Sequence, residues 1–187
     1  MQKNNCMTKN KKVLIGLTVG AIIILMIRKK LATMLTNTPF GAISDKLFNL
    51  VGGLEGFTPV ADWDFKQYSI GYGSGYNWDL KRPVQKNDVI DKATARRWLL
   101  LEAEQYFNYV KSLIKVPVTD NQLLALSSFT YNVGKGAFKD STLLELLNSG
   151  ADKNTVAKQF DRWVNSGGKP SDGLKIRRNA EKKLFLS

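Results

Sequence analysis

Glu55, Asp62, Asp64 and Ser69, side chains able to do acid–base or hydroxyl chemistry, fall within fifteen residues of the 187-residue chain. Glu55 follows an apolar helical turn and precedes Gly56, at a helix C-terminus, where the backbone carbonyls disfavour a negative charge. Asp64 lies nine residues on, in a DWDF segment, and Asp62 stands two positions before it. Glycoside hydrolysis needs one carboxylic acid to protonate the leaving oxygen. A second carboxylate activates water or stabilises an oxocarbenium-like transition state. Ser69 supplies a hydroxyl close by in the sequence. Taken by residue type alone, two acids and a hydroxyl are unspecific, and a solvated surface role for Glu55 is the competing account.

Composition narrows the alternatives. The chain has no His and a single Cys, which removes zinc chemistry and a Ser-His-Asp triad. Lys and Arg number 28 against 16 Asp and Glu, a net charge of +12. Seven of the basic residues and none of the acids fall in residues 1–43, so the remainder carries only +5. That balance suits an anionic polymer or a membrane surface. No compact basic stripe interleaved with aromatics appears, so a nucleic acid partner is not expected.

These side chains must be positioned by a folded domain, and the pattern places one at residues 44–187. Ser44 or Asp45 can cap a short helix whose apolar positions are Leu47, Phe48, Val51 and Leu54, with Gly52 and Gly53 loosening its end. Residues 68–78 (YSIGYGSGYNW) are aromatic and glycine-punctuated, which predicts a small antiparallel hairpin. Its glycines, Gly73 among them, suit turns and close approach of a sugar. A phosphate loop would need a strand before it and a helix directly after. Helical spacing then runs over 92–114, 120–133, 141–148, 153–165 and 174–186, with Asp91, Thr119, Asp140, Asp152 and Asp172 as caps. A small sheet lobe beside a helical lobe, with a cleft between them, makes an α+β domain.

Upstream lies a different kind of segment. Residues 13–27 (VLIGLTVGAIIILMI) carry no charge and are bracketed by Lys11 and Lys12 before and Arg28, Lys29 and Lys30 after. Fifteen helical residues rise about 22 Å, and flanking Lys and Arg stems can extend the reach to a hydrocarbon core of roughly 30 Å. The basic residues directly after it favour an uncleaved signal-anchor over a cleaved leader. The expected organisation is a basic segment at 1–12, a transmembrane helix with its basic flank at 13–30, a tether at 31–43 and the folded domain at 44–187. The lipid bilayer is the expected partner of residues 13–27. A segment that enters the bilayer weakly and later leaves it is the alternative.

Six stretches, in order, resemble one family: LEGF at 54–57, WDFKQYSIGYG at 63–73, TDNQLLALSSFTYNVGKGAF at 119–138, STLLELLN at 141–148, FDRWVNSGGK at 160–169 and GLKIRRNAEKKLFL at 173–186. Together they are similar to the phage-type lysozymes, family 24 of the glycoside hydrolases. The resemblance implies a lysozyme-like fold and hydrolysis of the β-1,4 bond between N-acetylmuramic acid and N-acetylglucosamine in bacterial peptidoglycan, with no metal and no organic cofactor. It implies Glu55 as general acid, Asp64 as partner carboxylate and Ser69 as the hydroxyl that orients water, with Asp62 the second candidate for the partner. Tyr131 and Asn132 match cleft-lining positions, as does Ser141. For these residues the competing accounts are a core aromatic, a C-capping amide and a helix cap. Arg177 and Arg178 read either as a solvated basic face or as a partner for Glu55. Three departures stand out. Ser69 replaces the usual Thr, the Asp64–Ser69 interval is one residue shorter, and Ser74 stands where a His is common. The implied setting is a single-pass membrane protein of a phage, with its catalytic domain facing peptidoglycan at the host inner membrane or in a membrane-containing virion. A non-catalytic wall-binding protein of the same fold and a lytic transglycosylase are the competing functions.

Overall fold

The computed structural model describes residues 43–64 and 66–187. The expectations for residues 1–42, including the transmembrane helix, lie outside the described residues. Among the described residues no helix is long and apolar enough to cross a membrane.

Helix α1 (Ser44–Glu55) begins at a buried Ile43, whose carbonyl accepts the Leu47 N–H, and no side chain caps it. It buries Leu47 and Val51 and continues through Gly52 and Gly53, so these glycines do not end it; Gly56, at φ +74°, does. The small face at Gly52 is used in packing, since a Cβ there would lie 3.3 Å from the Phe48 ring.

Strands β1 (Thr58–Asp64) and β2 (Gln67–Gly71) form an antiparallel hairpin with Asp62 opposite Ser69, Trp63 opposite Tyr68 and Asp64 opposite Gln67. This corrects the expectation of a hairpin within 68–78: residues 67–71 pair backward with 58–64. The remainder turns at Gly71 and Gly73, both with positive φ, and then gives the short pair β3 (Tyr76–Asn77) and β4 (Arg82–Pro83). At Gly71 only glycine fits, because φ is +70° and a Cβ would come within 2.9 Å of the Ala95 Cβ. Cross-strand partners share a face. Ala61, Ile70 and Tyr68 therefore turn toward the small core with Val84 and Trp98, while Asp62, Asp64, Gln67 and Ser69 share the opposite, polar face.

The helical lobe is built around α3 (Asp120–Val133), in which every residue from Leu123 to Thr130 is buried. Three of these are polar: Ser127 and Thr130 donate to the carbonyls four residues back, and Ser128 donates to Glu181. Its start is a capping box between Thr119 and Gln122. Packed around it are α2 (Lys92–Leu113), capped by Asp91, and α7 (Asp172–Leu186), capped by Ser171 instead of Asp172. Between them run α4 (Lys135–Lys139), α5 (Thr142–Asn148) and α6 (Lys153–Lys158). The helix expected over 153–165 stops early. It tightens to a 3₁₀ turn at Gln159–Arg162, after which β5 (Asn165–Ser166) and β6 (Lys169–Pro170) form a hairpin around Gly167 and Gly168. Phe129 lies at the centre of the core, edge-on to Phe160 at 5.2 Å and to Trp163 at 5.4 Å.

Candidate active site

Glu55 is the last residue of α1, and its Oε1 accepts from Nη1 of Arg177 on α7. No described residue donates to its Oε2. Arg177 is buried, not part of a solvated face, and its Nε pairs with the fully buried Glu181 at 3.2 Å. Beside the pair opens a cavity of about 320 Å³ lined by Glu55, Asn132, Ser166, Ser171, Leu174 and Arg177. Asn132 is fixed there because its Oδ1 accepts from Arg178 Nη2 at 2.7 Å, which leaves the amide N–H₂ able to donate.

The other expected residues do not line this cavity. Asp62 and Asp64 are exposed on the polar face of the hairpin, and the register sets Ser69 directly opposite Asp62, with Asp64 opposite Gln67. Among the described residues no hydrogen bond or ion pair joins Glu55 to Asp62, Asp64 or Ser69. Asp62 Oδ1 accepts from the Trp63 backbone N–H at 2.8 Å, whereas Asp64 has no such tie within the strand. Gly73 is exposed at the turn after β2, with open space where a Cβ would stand.

Tyr131 does not line the cavity beside Glu55. Its hydroxyl donates to Glu102 Oε2 at 3.2 Å, and its ring stands edge-on to Tyr106. Burial pushes its phenol well above the ordinary range, and the carboxylates of Glu102 and Glu55 push it further. Ser141 caps α5, donating to the Phe138 carbonyl at 2.7 Å and accepting from the Leu144 N–H at 3.2 Å. It also borders a second cavity of about 340 Å³ with Gln159, Arg162 and Trp163.

Two carboxylates that tie elements together around the site were missed by sequence reasoning. Glu102 on α2 accepts from Ser74 Oγ, from Trp78 Nε1 at 2.9 Å and from Tyr131. Ser74, the departure from the common His, thus joins the sheet lobe to the long helix through a neutral hydroxyl. Glu181 on α7 accepts from Ser128 at 2.7 Å and pairs with Arg177 and, at 3.0 Å, with Arg178. The available signal was positional: Glu181 stands four residues from Arg177 and four from the buried Phe185, on the inward face of the helix.

A helical lobe, a small antiparallel lobe and a carboxylate at the end of the first helix define a lysozyme-like α+β protein. Residues 52–181 match the family described as Phage lysozyme, and the chain belongs to that family. It is 41% identical over 148 residues to the endolysin of Bacillus phage B103, covering 78% of this chain and 54% of that protein. With the SAR-endolysin of Bacteriophage PS119 it shares 40% identity over 149 residues, covering 78% and 86%. The chain spans about half the length of the two Bacillus phage endolysins it matches. Among solved structures, an endolysin from Escherichia coli O157:H7 phage FAHEc1 superposes with a TM-score of 0.68 at 33% identity, covering 76% of this chain and 91% of that one. The muramidase domain of SpmX from Asticaccaulis excentricus gives 0.69 at 28%, covering 78% and 97%.

Proposed function

We propose that the chain is a phage muramidase that hydrolyses the β-1,4 glycosidic bond of peptidoglycan between N-acetylmuramic acid and N-acetylglucosamine, in host lysis or wall penetration. The observation that carries this reading is Glu55, held through one oxygen by a buried arginine at the mouth of a polar cavity. Arg177 engages Oε1, so Oε2 is the oxygen able to carry a proton toward a glycosidic oxygen. Transfer of that proton releases the leaving sugar as an alcohol, and the positive charge that develops at the anomeric carbon is met by a carboxylate. Asp64 takes that role, and Ser69, on the same face of the hairpin, orients the attacking water. Asn132 bonds an acetamido group of the glycan, while Gly73 leaves backbone open to a sugar.

The membrane setting is part of the same proposal. Residues 13–27, uncharged between basic flanks, hold the enzyme at a lipid bilayer.

Clearing of a cell-wall suspension by the full-length chain, with mass spectrometry of the released muropeptides, tests the reading. Reducing-end N-acetylmuramic acid is expected, and Glu55→Gln abolishes it. Anhydro ends mark a transglycosylase instead, and uncleaved glycan bound by the chain marks a wall-binding protein. If Asp62→Asn destroys activity while Asp64→Asn spares it, the partner carboxylate is Asp62. For the bilayer, deletion of residues 1–30 is expected to move the protein to the soluble fraction with hydrolysis retained.

A further inference from the structure

Behind Arg177 lies a charge cluster almost closed to solvent. Glu181 is fully buried, Arg178 is 1% exposed and Arg177 4%. Glu181 takes Nε of Arg177 on Oε1 and Nε of Arg178 beside Oε2, and Ser128 donates to Oε1. Burial lowers the Arg178 guanidinium to about 10, and its cation sits 4.8 Å over the Phe129 ring. Burial also pushes the Glu181 carboxyl above its ordinary value, while the two guanidiniums and the Ser128 hydroxyl pull it back. A buried ion cluster of this kind contributes little to net stability compared with apolar packing, so its worth is in fixing geometry.

We propose that Glu181 is a positioning residue for Glu55, acting through Arg177. The guanidinium is planar and divides its donors: Nε goes to Glu181, Nη2 lies 3.5 Å from the Ser128 carbonyl, and Nη1 alone is left for Glu55. Held on two sides, Arg177 cannot turn to grip both oxygens of Glu55 in a bidentate fork, and Oε2 stays available. The charge balance follows the same division. Two guanidiniums face Glu181 and Glu55, so the cluster is neutral only with both carboxylates in place. The other titratable groups on the elements packed here are the neutral Tyr131 phenol of α3, Asp161 of the 3₁₀ turn, which pairs with Lys182 of α7, and Lys153 of α6, which meets the Leu186 carbonyl. None of these replaces Glu181 at Nε.

The inference rests on the hydrolase reading for its consequence but not for its geometry, and the two are separable. In the full-length chain, nitrogen-15 NMR of the Arg177 Nε–H is expected to show exchange at least tenfold slower than that of a solvent-exposed arginine; fast exchange in the wild-type chain overturns the proposal without any variant. Glu181→Gln keeps an acceptor and removes the charge. The surplus positive charge then favours the anionic acid, and the alkaline limb of kcat/KM is expected to move down by about one pH unit. Glu181→Asp keeps the charge and withdraws the oxygens. It is expected to leave that limb in place, lower kcat about tenfold, leave KM within twofold and speed Nε–H exchange. A merely structural role lowers Tm in both variants and leaves the pH profile unmoved, and that result overturns the proposal. Walls left intact by the wild-type chain refute the hydrolase reading, while Nε–H exchange still decides whether Glu181 holds Arg177.

Discussion

Removal of the Glu102 carboxylate is expected to unfasten the sheet lobe. Glu102 gathers three donors from separate parts of the chain: Ser74 after the β1–β2 hairpin, Trp78 after β3, and Tyr131 on α3. A hydrogen bond to a charged group contributes about 1.5–3 kcal/mol. Glu102 is half-buried and the Tyr131 contact is long, so the lower end applies. Glu102→Ala is therefore expected to lower the unfolding free energy by about 3–4 kcal/mol. Glu102→Gln should cost only about 1–2 kcal/mol, because the amide oxygen can keep Ser74 and Trp78 while Tyr131 reverses its hydroxyl to accept from the new N–H₂. Equilibrium urea unfolding of the full-length chain measures both values from the change in midpoint at constant slope. Amide exchange gives the local reading: the Ser74 N–H, which donates to Ile70 at 3.0 Å, should lose protection before the amides of α3. A Glu102→Ala chain within 0.5 kcal/mol of wild type, with Ser74 still protected, would refute the reasoning.

Three further expectations follow from local geometry. Gly71→Ala combines a positive φ with a Cβ 2.9 Å from Ala95, and urea unfolding should show a loss of about 2–4 kcal/mol. Thr119→Ala removes half of the α3 capping box and should cost about 1 kcal/mol in the same assay. The Arg82 guanidinium, 2.7 Å from Asp88, holds that carboxyl down at about 2, aided by the Gln85 N–H and Asn77. Because the folded value lies below the unfolded one, this stability is complete above about pH 4 and is lost as pH falls toward 2. Both side chains retain some exposure, so the effect is no more than about 1 kcal/mol, and Asp88→Asn should flatten that part of the stability–pH curve.

The helical lobe was legible in the sequence because its signals are local. Asp91, Thr119 and Asp152 cap the helices they were expected to cap, since a short polar side chain before an apolar repeat has few other uses. The hairpin was misplaced because β1 lacks the usual alternation. It carries Pro59, a register irregularity between Thr58 and Asp62, and only one buried residue, Ala61, so it does not read as a strand until β2 is laid against it. Asp140 and Asp172 were each displaced as caps by a neighbouring serine, Ser141 and Ser171. The helix-end position of Glu55 was legible in the sequence, whereas Asn132 was singled out only through the family resemblance. The sequence left Arg177 and Arg178 open between a solvated face and a partner for Glu55, and Glu181 passed unread, because all three look like an ordinary charged helix face until α3 is packed against them.

The neutral character of the donors at Glu102 has a consequence for the medium in which such a protein works. A contact between opposite charges weakens as mobile ions accumulate, with a screening distance of about 8 Å at 0.15 M ionic strength. Hydroxyl, indole and phenol donors present no net charge to be shielded, so the Glu102 joint should hold from dilute buffer to brine, while the Arg97–Asp79 ion pair between the same elements weakens.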